Sequence, residues 1–399
     1  MESPSARLRC RRHWGISSRT RYRLGQCDSL ISAIRETPVR PEHRRRFLHA
    51  ALARGAEATT AVEGGSPGEP EAGRPTAGRR PAASRDPQEA EIAGVVRATR
   101  TLLGEIEAGT PRPVDTHLLL RAHRMIGETP GKRPDAEPGR FRTEGQAAPH
   151  TAPRADEVPE LAERVLDWLT REFPRSGPGG DFGQAIVRAL VTHVYVLWIR
   201  PFAYGNGRTA RLLEAYVLAA AGSPAIASHL LADHYAETRR EYFRQLEAAS
   251  RDRSLTSFIG YAVEGLRDGL RDLHAAVADA SFRTAWQDFV AARLAGSGLR
   301  KRTVLNRRRK LMLSMPLEGS VDIEEVALLD AGVACAYGGL SRRTLRRDLL
   351  FLVDTGLLDA PDNRFSANTA LLRPEGGGAA RGTGGAERRR AGSTETEET

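Results

Sequence analysis

The chain has 399 residues, of which 40% are hydrophobic, and it carries a net charge of +10 with a pI near 10. This length and composition allow a large hydrophobic core and predict two or three domains. The cysteines, Cys10, Cys27 and Cys335, lie far apart and show no paired cysteine or histidine spacing. The spacing therefore indicates neither a disulfide framework nor a zinc site, and we expect a reduced intracellular protein.

The positive charge has two explanations that the sequence leaves open. It favours contact with nucleic acid or another acidic surface, and an arginine-rich coding bias would give the same excess. The basic start of the chain is followed by no apolar stretch, so no secretory signal is expected. The longest apolar run, AIVRALVTHVYVLWI, contains Arg188 and His193 and is expected to be too short to span a bilayer. We predict a cytoplasmic protein with no membrane partner.

The first 88 residues divide into three segments. Residues 1–35 are rich in arginine and show little periodicity, so we predict a disordered basic arm. A helix is predicted over residues 36–64, with Gly64 and the following glycine as a stop signal. Residues 65–88 are rich in proline, glycine and charge, which predicts a linker.

Helical periodicity dominates residues 89–290. Amphipathic segments follow one another there, and GQAIVRALVTHVYVLWI is apolar on nearly every face, which is typical of a central buried helix. Glycine and proline punctuate residues 139–150, where a hairpin or loop fits best. No run of alternating strands is found in residues 36–290. We therefore predict an all-α core with at most a small β-hairpin.

The segment IRPFAYGNGRTAR joins two of the predicted helices. Pro201 ends the first helix, because proline lacks a donor and disfavours helical geometry at the preceding residue. Gly205 and Gly207 permit positive φ and close approach of the backbone to a ligand. The first N–H groups of the next helix attract an anion, and Arg208 and Arg211 add charged donors. A phosphate-binding site is predicted; the alternative is a helix start whose arginines pair with nearby carboxylates.

This string resembles the signature of the Fic (Fido) family, His-Pro-Phe-x-Asp/Glu-Gly-Asn-Gly-Arg-x-x-Arg. The matching residues are Pro201, Phe202, Gly205, Asn206, Gly207, Arg208 and Arg211. The family domain binds ATP and transfers AMP to a Ser, Thr or Tyr hydroxyl of a target protein. The resemblance covers roughly residues 36–290 and implies an all-α Fic fold with a β-hairpin flap, in which residues 89–290 form the core and the matching residues from Gly205 to Arg211 bind phosphates.

Three other segments extend the resemblance. Residues 139–150 resemble the flap that positions the target protein beside the nucleotide, and its nucleotide-facing residues would be Gln146, Ala147, Ala148 and Pro149. Residues 234–246 resemble a late helix, which implies that Tyr242 and Phe243 lie against the adenine.

The stretch TTAVEG resembles the inhibitory Ser/Thr-x-x-x-Glu-Gly motif. The resemblance implies that the Glu63 carboxylate pairs with Arg211 and blocks placement of the γ-phosphate. The alternative is an ordinary surface glutamate at a helix end.

Two departures from the signature affect the chemistry. Arg200 replaces the histidine that acts as general base in the family, and arginine stays protonated at any working pH. Tyr204 replaces the acidic residue that holds Mg²⁺, and a neutral phenol is a poor ligand for that cation. We expect ATP as a ligand or substrate, and we expect no protein ligand for Mg²⁺ at this position.

Other histidines are weak candidates for the missing base. His193 precedes Arg200 by two helical turns, about 10 Å by helix rise, and is predicted to be a structural histidine in a buried helix. Nothing in the spacing places His150 or His234 against a substrate hydroxyl.

The character of the chain changes near residue 296. Residues 296–373 predict three helices and a short hairpin, an order that resembles a winged helix-turn-helix domain, and the remaining residues, 374–399, predict a disordered tail. Arg342, Arg343, Arg346 and Arg347 start the candidate recognition helix and are the candidate DNA contacts. The alternatives are a protein-contacting domain and a merely solvated basic face.

Three hypotheses follow for function. The leading one is a Fic protein that binds a nucleotide, is impaired or inactive in AMP transfer, and contacts DNA through its C-terminal domain. The second is an active protein adenylyltransferase, and the third is a DNA-binding regulator whose Fic core is only a scaffold. The sequence makes no prediction of oligomeric state.

Overall fold

The structure, a computed structural model, describes residues 8, 10–64, 87–127, 137–144, 152–177, 179–298 and 301–372. The chain forms two compact units, Met1–Ser281 and Phe282–Thr399. In its described residues the first unit is built of α-helices and short turns, as predicted. The helices are α1 (Ser18–Glu36), α2 (Pro41–Glu63), α3 (Pro87–Glu107), α4 (Thr116–Gly127), α5 (Val158–Glu172), α6 (Phe182–Ile199), α7 (Asn206–Ala220), α8 (Leu230–Glu237), α9 (Arg239–Asp252) and α10 (Thr256–Ala295), the last of which continues beyond this unit.

Helix α6 lies at the centre of the first unit. Thirteen of its 18 residues are buried, which confirms the central helix expected from its apolar faces. The Asp181 side chain caps its start by accepting a hydrogen bond from the backbone N–H of Gln184. By length and composition α6 is long enough to cross a membrane, so the expectation that it is too short was wrong, but most of it is buried inside the protein.

The N-terminal region is ordered where it is described. The prediction of a disordered arm for residues 1–35 was wrong from residue 10 onward, because α1 packs against α6 and buries Cys27 and Ile31. Upstream, Trp14 is buried and stacks on Phe173 at 5.9 Å. These few apolar side chains lie among many arginines, so average composition hides the face that they form.

Helix α2 covers the predicted helix at residues 36–64. Pro41 occupies one of its first positions, where the missing N–H costs no hydrogen bond. The helix packs against α3, α7 and α8 and buries Leu52, Ala56 and Val62. It ends at Glu63, and the side chain of this residue lies against the start of α7. Most of the predicted linker, residues 65–86, lies outside the described residues.

The second unit has its own core. Its elements are α11 (Arg302–Ser314), α12 (Ile323–Val326), α13 (Ala331–Tyr337), α14 (Arg342–Asp354), β1 (Leu358–Asp359) and β2 (Ser366–Ala367). The strands pair antiparallel, with Leu358 opposite Ala367. Four helices thus stand where three were expected, followed by the expected hairpin. Assignment to the winged-helix class stays a prediction, and the tail at 374–399 lies outside the described residues.

A buried carboxylate organises this second core. Asp348 on α14 is fully buried and accepts hydrogen bonds from Arg307 and Arg308 on α11, at 2.8 and 2.7 Å. The Tyr337 hydroxyl of α13 donates to the same carboxylate at 3.0 Å. One side chain therefore joins three helices, because a buried carboxylate is stable only when its charge and its oxygens are both satisfied.

Candidate functional site

The glycine-arginine segment, residues 200–211, joins α6 to α7. Arg200 and Gly205 both have left-handed backbone conformations, with φ of 46° and 69°. Asn206 holds the intervening turn, since its side chain accepts from Phe202 N at 2.9 Å and donates to Phe202 O at 2.8 Å. The implied role of Asn206 as a phosphate ligand stays a prediction; in this geometry its buried side-chain amide bonds to the backbone of Phe202.

Glu63 and Arg211 form an ion pair at the start of α7. The Arg211 Nη2 lies 2.6 Å from Glu63 Oε1, and the Arg211 side chain is only 3% exposed. Arg211 also donates to the carbonyl oxygen of Thr59 at 3.1 Å and to its hydroxyl. A Cβ placed on Gly207 would collide with the Glu63 carboxylate. That carboxylate therefore lies directly against the helix N-terminus, where the sequence predicts a bound anion.

The Glu63 carboxylate is held in its charged form. Burial raises its pKa, but the charge and hydrogen bond of Arg211, together with the charges of Arg208 and Arg200, outweigh burial and leave the pKa below its usual value. The Arg200 guanidinium is thus close enough to act on Glu63. A protein carboxylate therefore stands at the helix start where the sequence predicts a phosphate group.

Arg208 has a carboxylate partner of its own. Its Nη1 lies 2.9 Å from Glu91 Oε2 on α3, and its side chain is 11% exposed. The Nε of Arg208 has no hydrogen-bond partner in the part of the chain that the structure describes. Sequence reasoning missed Glu91, because a glutamate in the first turns of a helix is ordinary there and only the fold brings it to Arg208. Both motif arginines are paired with carboxylates, which is the alternative that the sequence left open.

We expect Glu91→Gln to tighten ATP binding modestly. A partly exposed ion pair of this kind contributes about 0.2–1 kcal/mol. Removing the Glu91 charge should therefore lower the dissociation constant for ATP by up to about fivefold. Isothermal titration of both proteins with ATP measures the change. Glu107→Gln, an exposed glutamate at the other end of α3, is the control and should bind as the natural chain does.

His123 connects the segment to α4. Its Nδ1 accepts a hydrogen bond from Gly139 N at 2.9 Å, so the proton is on Nε2, which donates to the carbonyl oxygen of Tyr204 at 3.1 Å. The ring stacks on Phe202 with centroids 3.7 Å apart and is 1% exposed. Both nitrogens are engaged, so His123 positions the turn and is no substitute for the missing base. Sequence reasoning missed it, because its partners are distant in the chain.

Arg142 anchors the start of the predicted flap to the same turn. Its Nε donates to the carbonyl oxygen of Arg200 at 2.8 Å, and its backbone N–H donates to that of Pro201 at 2.9 Å. Burial, followed by the nearby charge of Arg200, lowers the pKa of Arg142. The described part of the flap, residues 139–144, contains turns and irregular backbone, and the implied nucleotide contacts Gln146, Ala147, Ala148 and Pro149 lie outside the described residues.

The donor atoms at the segment do not fit Mg²⁺. Burial raises the pKa of Tyr204, and the opposing charge of Arg208 does not restore it, so the phenol stays neutral near pH 7. No group of three or more His, Cys, Asp or Glu side chains that could hold a metal ion occurs among the described residues. Mg²⁺ prefers charged oxygen ligands, and the nearby carboxylates of Glu63 and Glu91 are paired with arginines.

Tyr242 lies beneath the segment and not beside a ligand. It is 1% exposed, and its hydroxyl lies 2.9 Å from His193 Nε2 and 3.5 Å from Arg211 Nη1. The implied contact of Tyr242 with adenine stays a prediction, although its ring is enclosed in the core. Phe243 is partly exposed, with the Arg239 guanidinium 4.9 Å from its ring centroid, and remains the candidate for a stacking contact.

The remaining histidines are not placed as bases. His193 is fully buried, with its Nδ1 3.3 Å from a carboxylate oxygen of Glu214, as expected of a structural histidine. His234 packs against the ring of Tyr261 at 4.5 Å, and burial lowers its pKa. His150 lies outside the described residues.

An ion pair docks α2 onto α8. Arg54 Nη2 lies 2.7 Å from Asp233 Oδ2, and His229 Nε2 lies 3.7 Å from the same oxygen. Burial raises the pKa of Asp233 to about 6, despite the charge of Arg54, and burial lowers that of His229 to about 4. This contact holds the helix that presents Glu63.

We expect the stability contribution of Asp233 to fall as the pH rises. Its folded-state pKa of about 6 lies above the ordinary 3.8, so its contribution is fully present below pH 3.8 and is lost as the pH rises through 6. Denaturant unfolding should therefore show the natural chain losing stability relative to Asp233→Asn over that window. Glu247→Gln, an exposed site on α9, should show no such trend, and parallel curves for Asp233→Asn would contradict the assignment.

The C-terminal arginines are accessible. Arg342, Arg343, Arg346 and Arg347 are all exposed on the first turns of α14, and Arg342 pairs with Glu324. Their shared face is opposite the buried Asp348.

The helical core, with a glycine-arginine turn between its central helix and the next, defines a class of all-α domains that present arginines at a helix N-terminus. The sequence profile of the Fic/DOC family matches residues 113–218, which span this turn. These residues therefore form a Fic domain.

Named relatives agree with this assignment. The protein adenylyltransferase fic-1 of Caenorhabditis elegans is 28% identical over 175 residues, which are 44% of this chain and 31% of the relative. The protein adenylyltransferase Fic of Nematostella vectensis is 28% identical over 133 residues, or 33% of this chain and 28% of the relative. The chain thus spans about a third of the length of these curated relatives.

A solved structure supports the fold. The crystal structure of a Fic family protein from Desulfovibrio desulfuricans G20 superposes with a TM-score of 0.51 and 19% identity, covering 90% of this chain and 98% of that one.

Proposed function

We propose that this Fic protein binds ATP or a related nucleotide at the glycine-arginine segment, and that Glu63 restrains binding in the ligand-free state. The observation that carries the proposal is the Glu63 carboxylate, which lies at the N-terminus of α7 and pairs with Arg211. A phosphate group carries the same sign of charge and accepts the same donors. Displacement of Glu63 would free the arginine and the helix N-terminus for phosphate.

AMP transfer is the reaction that the names of the relatives favour. In that reaction a target hydroxyl attacks the α-phosphorus, pyrophosphate leaves, and a base receives the hydroxyl proton. Arg200 stands at the base position and cannot receive a proton, so we propose that transfer by this chain is weak or absent. An active protein adenylyltransferase that acts on a Ser, Thr or Tyr hydroxyl is the alternative.

An assay with labelled ATP distinguishes weak or absent AMP transfer from the active alternative. We expect no label on the chain or on added target proteins with the natural sequence or with Glu63→Gly, while titration shows ATP binding that weakens with Arg208→Ala. Clear labelling by Glu63→Gly would establish the active alternative. Absence of ATP binding by both the natural chain and Glu63→Gly would overturn the proposal of nucleotide binding itself.

A restored variant provides the positive control. Arg200→His with Tyr204→Asp in the Glu63→Gly background returns the base and the acidic ligand to the signature. We expect labelling from this triple variant only, because binding, base and ligand are then all present. Arg200→Lys with the same two other changes is the matched control, since lysine is charged at neutral pH and is not expected to act as the base.

We further propose that α14 contacts nucleic acid. Its basic face carries four exposed arginines in two turns, while its one buried acid, Asp348, is neutralised from α11. Duplex DNA should shift in a gel in a salt-dependent manner with the full chain, and much less with Arg343→Ala and Arg346→Ala combined. Arg283→Ala with Arg293→Ala is a charge-matched control outside α14. An equal loss in that control would mean that only net charge matters.

A further inference from the structure

Positive charge is concentrated at the glycine-arginine segment. Arg208 and Arg211 lie on the first turns of α7, and Arg200 ends α6 close enough to Glu63 to influence its charge. Arg142 is buried against the same turn, and within the described residues its guanidinium donates to the carbonyl oxygens of Arg200 and Pro153. The helix N-terminus adds its partial positive charge.

The acids beside this cluster do not neutralise it. Glu63 pairs with Arg211 and Glu91 pairs with Arg208, which leaves the charges of Arg200 and Arg142 uncompensated by any ion pair in the described residues. Release of Glu63 by an incoming anion would leave one more positive charge in the site. A cation placed here would then be repelled by the guanidinium groups of Arg200, Arg142 and Arg211. It would find a neutral phenol at Tyr204.

We propose that the segment binds its polyphosphate in the metal-free form, with Arg200 supplying the positive charge that a divalent cation would otherwise bring. The inference rests on the proposed nucleotide binding and concerns the chemical form of the ligand. Free triphosphate carries more negative charge than its Mg²⁺ complex, so it is the better match for a cluster of arginines. Guanidinium groups also bind phosphate oxygens directly and in pairs.

The Glu63 carboxylate is an anion that the segment holds through arginine side chains and the helix N-terminus. It contacts Arg211 and the backbone at Gly207 directly, with the charges of Arg208 and Arg200 nearby. A terminal phosphate placed there would meet the same groups. Arg200 ends α6 at the turn that precedes α7, and its charge already acts on the Glu63 carboxylate.

The test is titration of the full-length Glu63→Gly chain with ATP, once with excess EDTA and once with excess Mg²⁺. We expect binding in EDTA that is at least as tight as in Mg²⁺, and competition by inorganic tripolyphosphate in EDTA. Arg200→Ala should weaken binding in EDTA about tenfold, while Arg200→Lys, which keeps the charge and guards against misfolding, should weaken it much less. Arg240→Ala, an exposed arginine on α9, should have no effect.

A second variant reports on the cation. Tyr204→Asp in the same background should create a preference for the Mg²⁺ complex. Binding of the parent that is threefold or more weaker in EDTA would overturn the metal-free form and leave nucleotide binding intact. If the parent preferred the Mg²⁺ complex and Glu91→Gln abolished that preference, Glu91 would be the cation ligand, which also overturns the proposal. Failure to bind ATP in either condition would overturn both this inference and the proposed function.

Discussion

Replacing Glu63 with glycine is expected to tighten ATP binding by at least about tenfold, which corresponds to about 1.4 kcal/mol. The natural carboxylate contacts Arg211 and the N-terminus of α7, so a nucleotide must displace it before its own phosphates can bind. Glycine removes this competitor and adds no new charge. Isothermal titration of the two full-length proteins under identical salt measures the difference.

The same substitution should lower stability without ligand. Arg211 is almost fully buried, and it loses the carboxylate that it pairs with, although its bonds to Thr59 remain. The melting temperature should fall in the absence of ATP and recover with ATP, because ligand binding favours the folded state. Glu57→Gly, at an exposed position on α2, controls for the effect of glycine in the helix. Equal ATP affinity of the natural chain and Glu63→Gly would refute competition.

Replacing Asp348 with alanine is expected to destabilise the C-terminal unit by about 3–5 kcal/mol, because the change leaves a buried charge without its partner. Arg308 is 8% exposed at its side chain and packs its guanidinium 3.8 Å from the centroid of the Phe351 ring, so it has little access to water. Tyr337 would also lose the acceptor of its hydroxyl proton. Denaturant unfolding followed by circular dichroism should show an early transition that the natural chain lacks.

Asp354→Ala is the matched control for this experiment. Asp354 lies on the same helix and is exposed, so its removal should change the unfolding free energy by no more than about 0.5 kcal/mol. A similar small change for Asp348→Ala would show that the buried network contributes little. ATP affinity should be unchanged in both variants, since neither residue belongs to the glycine-arginine segment.

Much of the fold follows from local sequence patterns. The apolar faces of α6 and the glycine and proline signals around α7 predicted both helices and the turn between them, because helix periodicity and helix ends are local properties. Residues 10–35 were missed, since their buried face depends on partners such as Phe173 and Glu264, which are distant in the chain.

The candidate site divides in the same way. The resemblance around TTAVEG indicated Glu63 as the partner of Arg211, and the two lie together as it implied. Glu91, His123 and Arg142 carried no local signal, since each acts through a partner more than fifty residues away or through a backbone carbonyl. The same long-range packing placed Tyr242 in the core, although its sequence position alone suggested a ligand contact.

Residue types define the chemistry available at the turn: glycines that admit an anion, arginines that bind one, and an arginine and a tyrosine where a base and an acid would allow transfer. Helix packing defines which of those groups are already paired. It brought Glu63 from α2 and Glu91 from α3 onto Arg211 and Arg208, because charges on separate helices meet only after the helices pack. Residue type sets what a side chain can do, and packing sets which partner it meets.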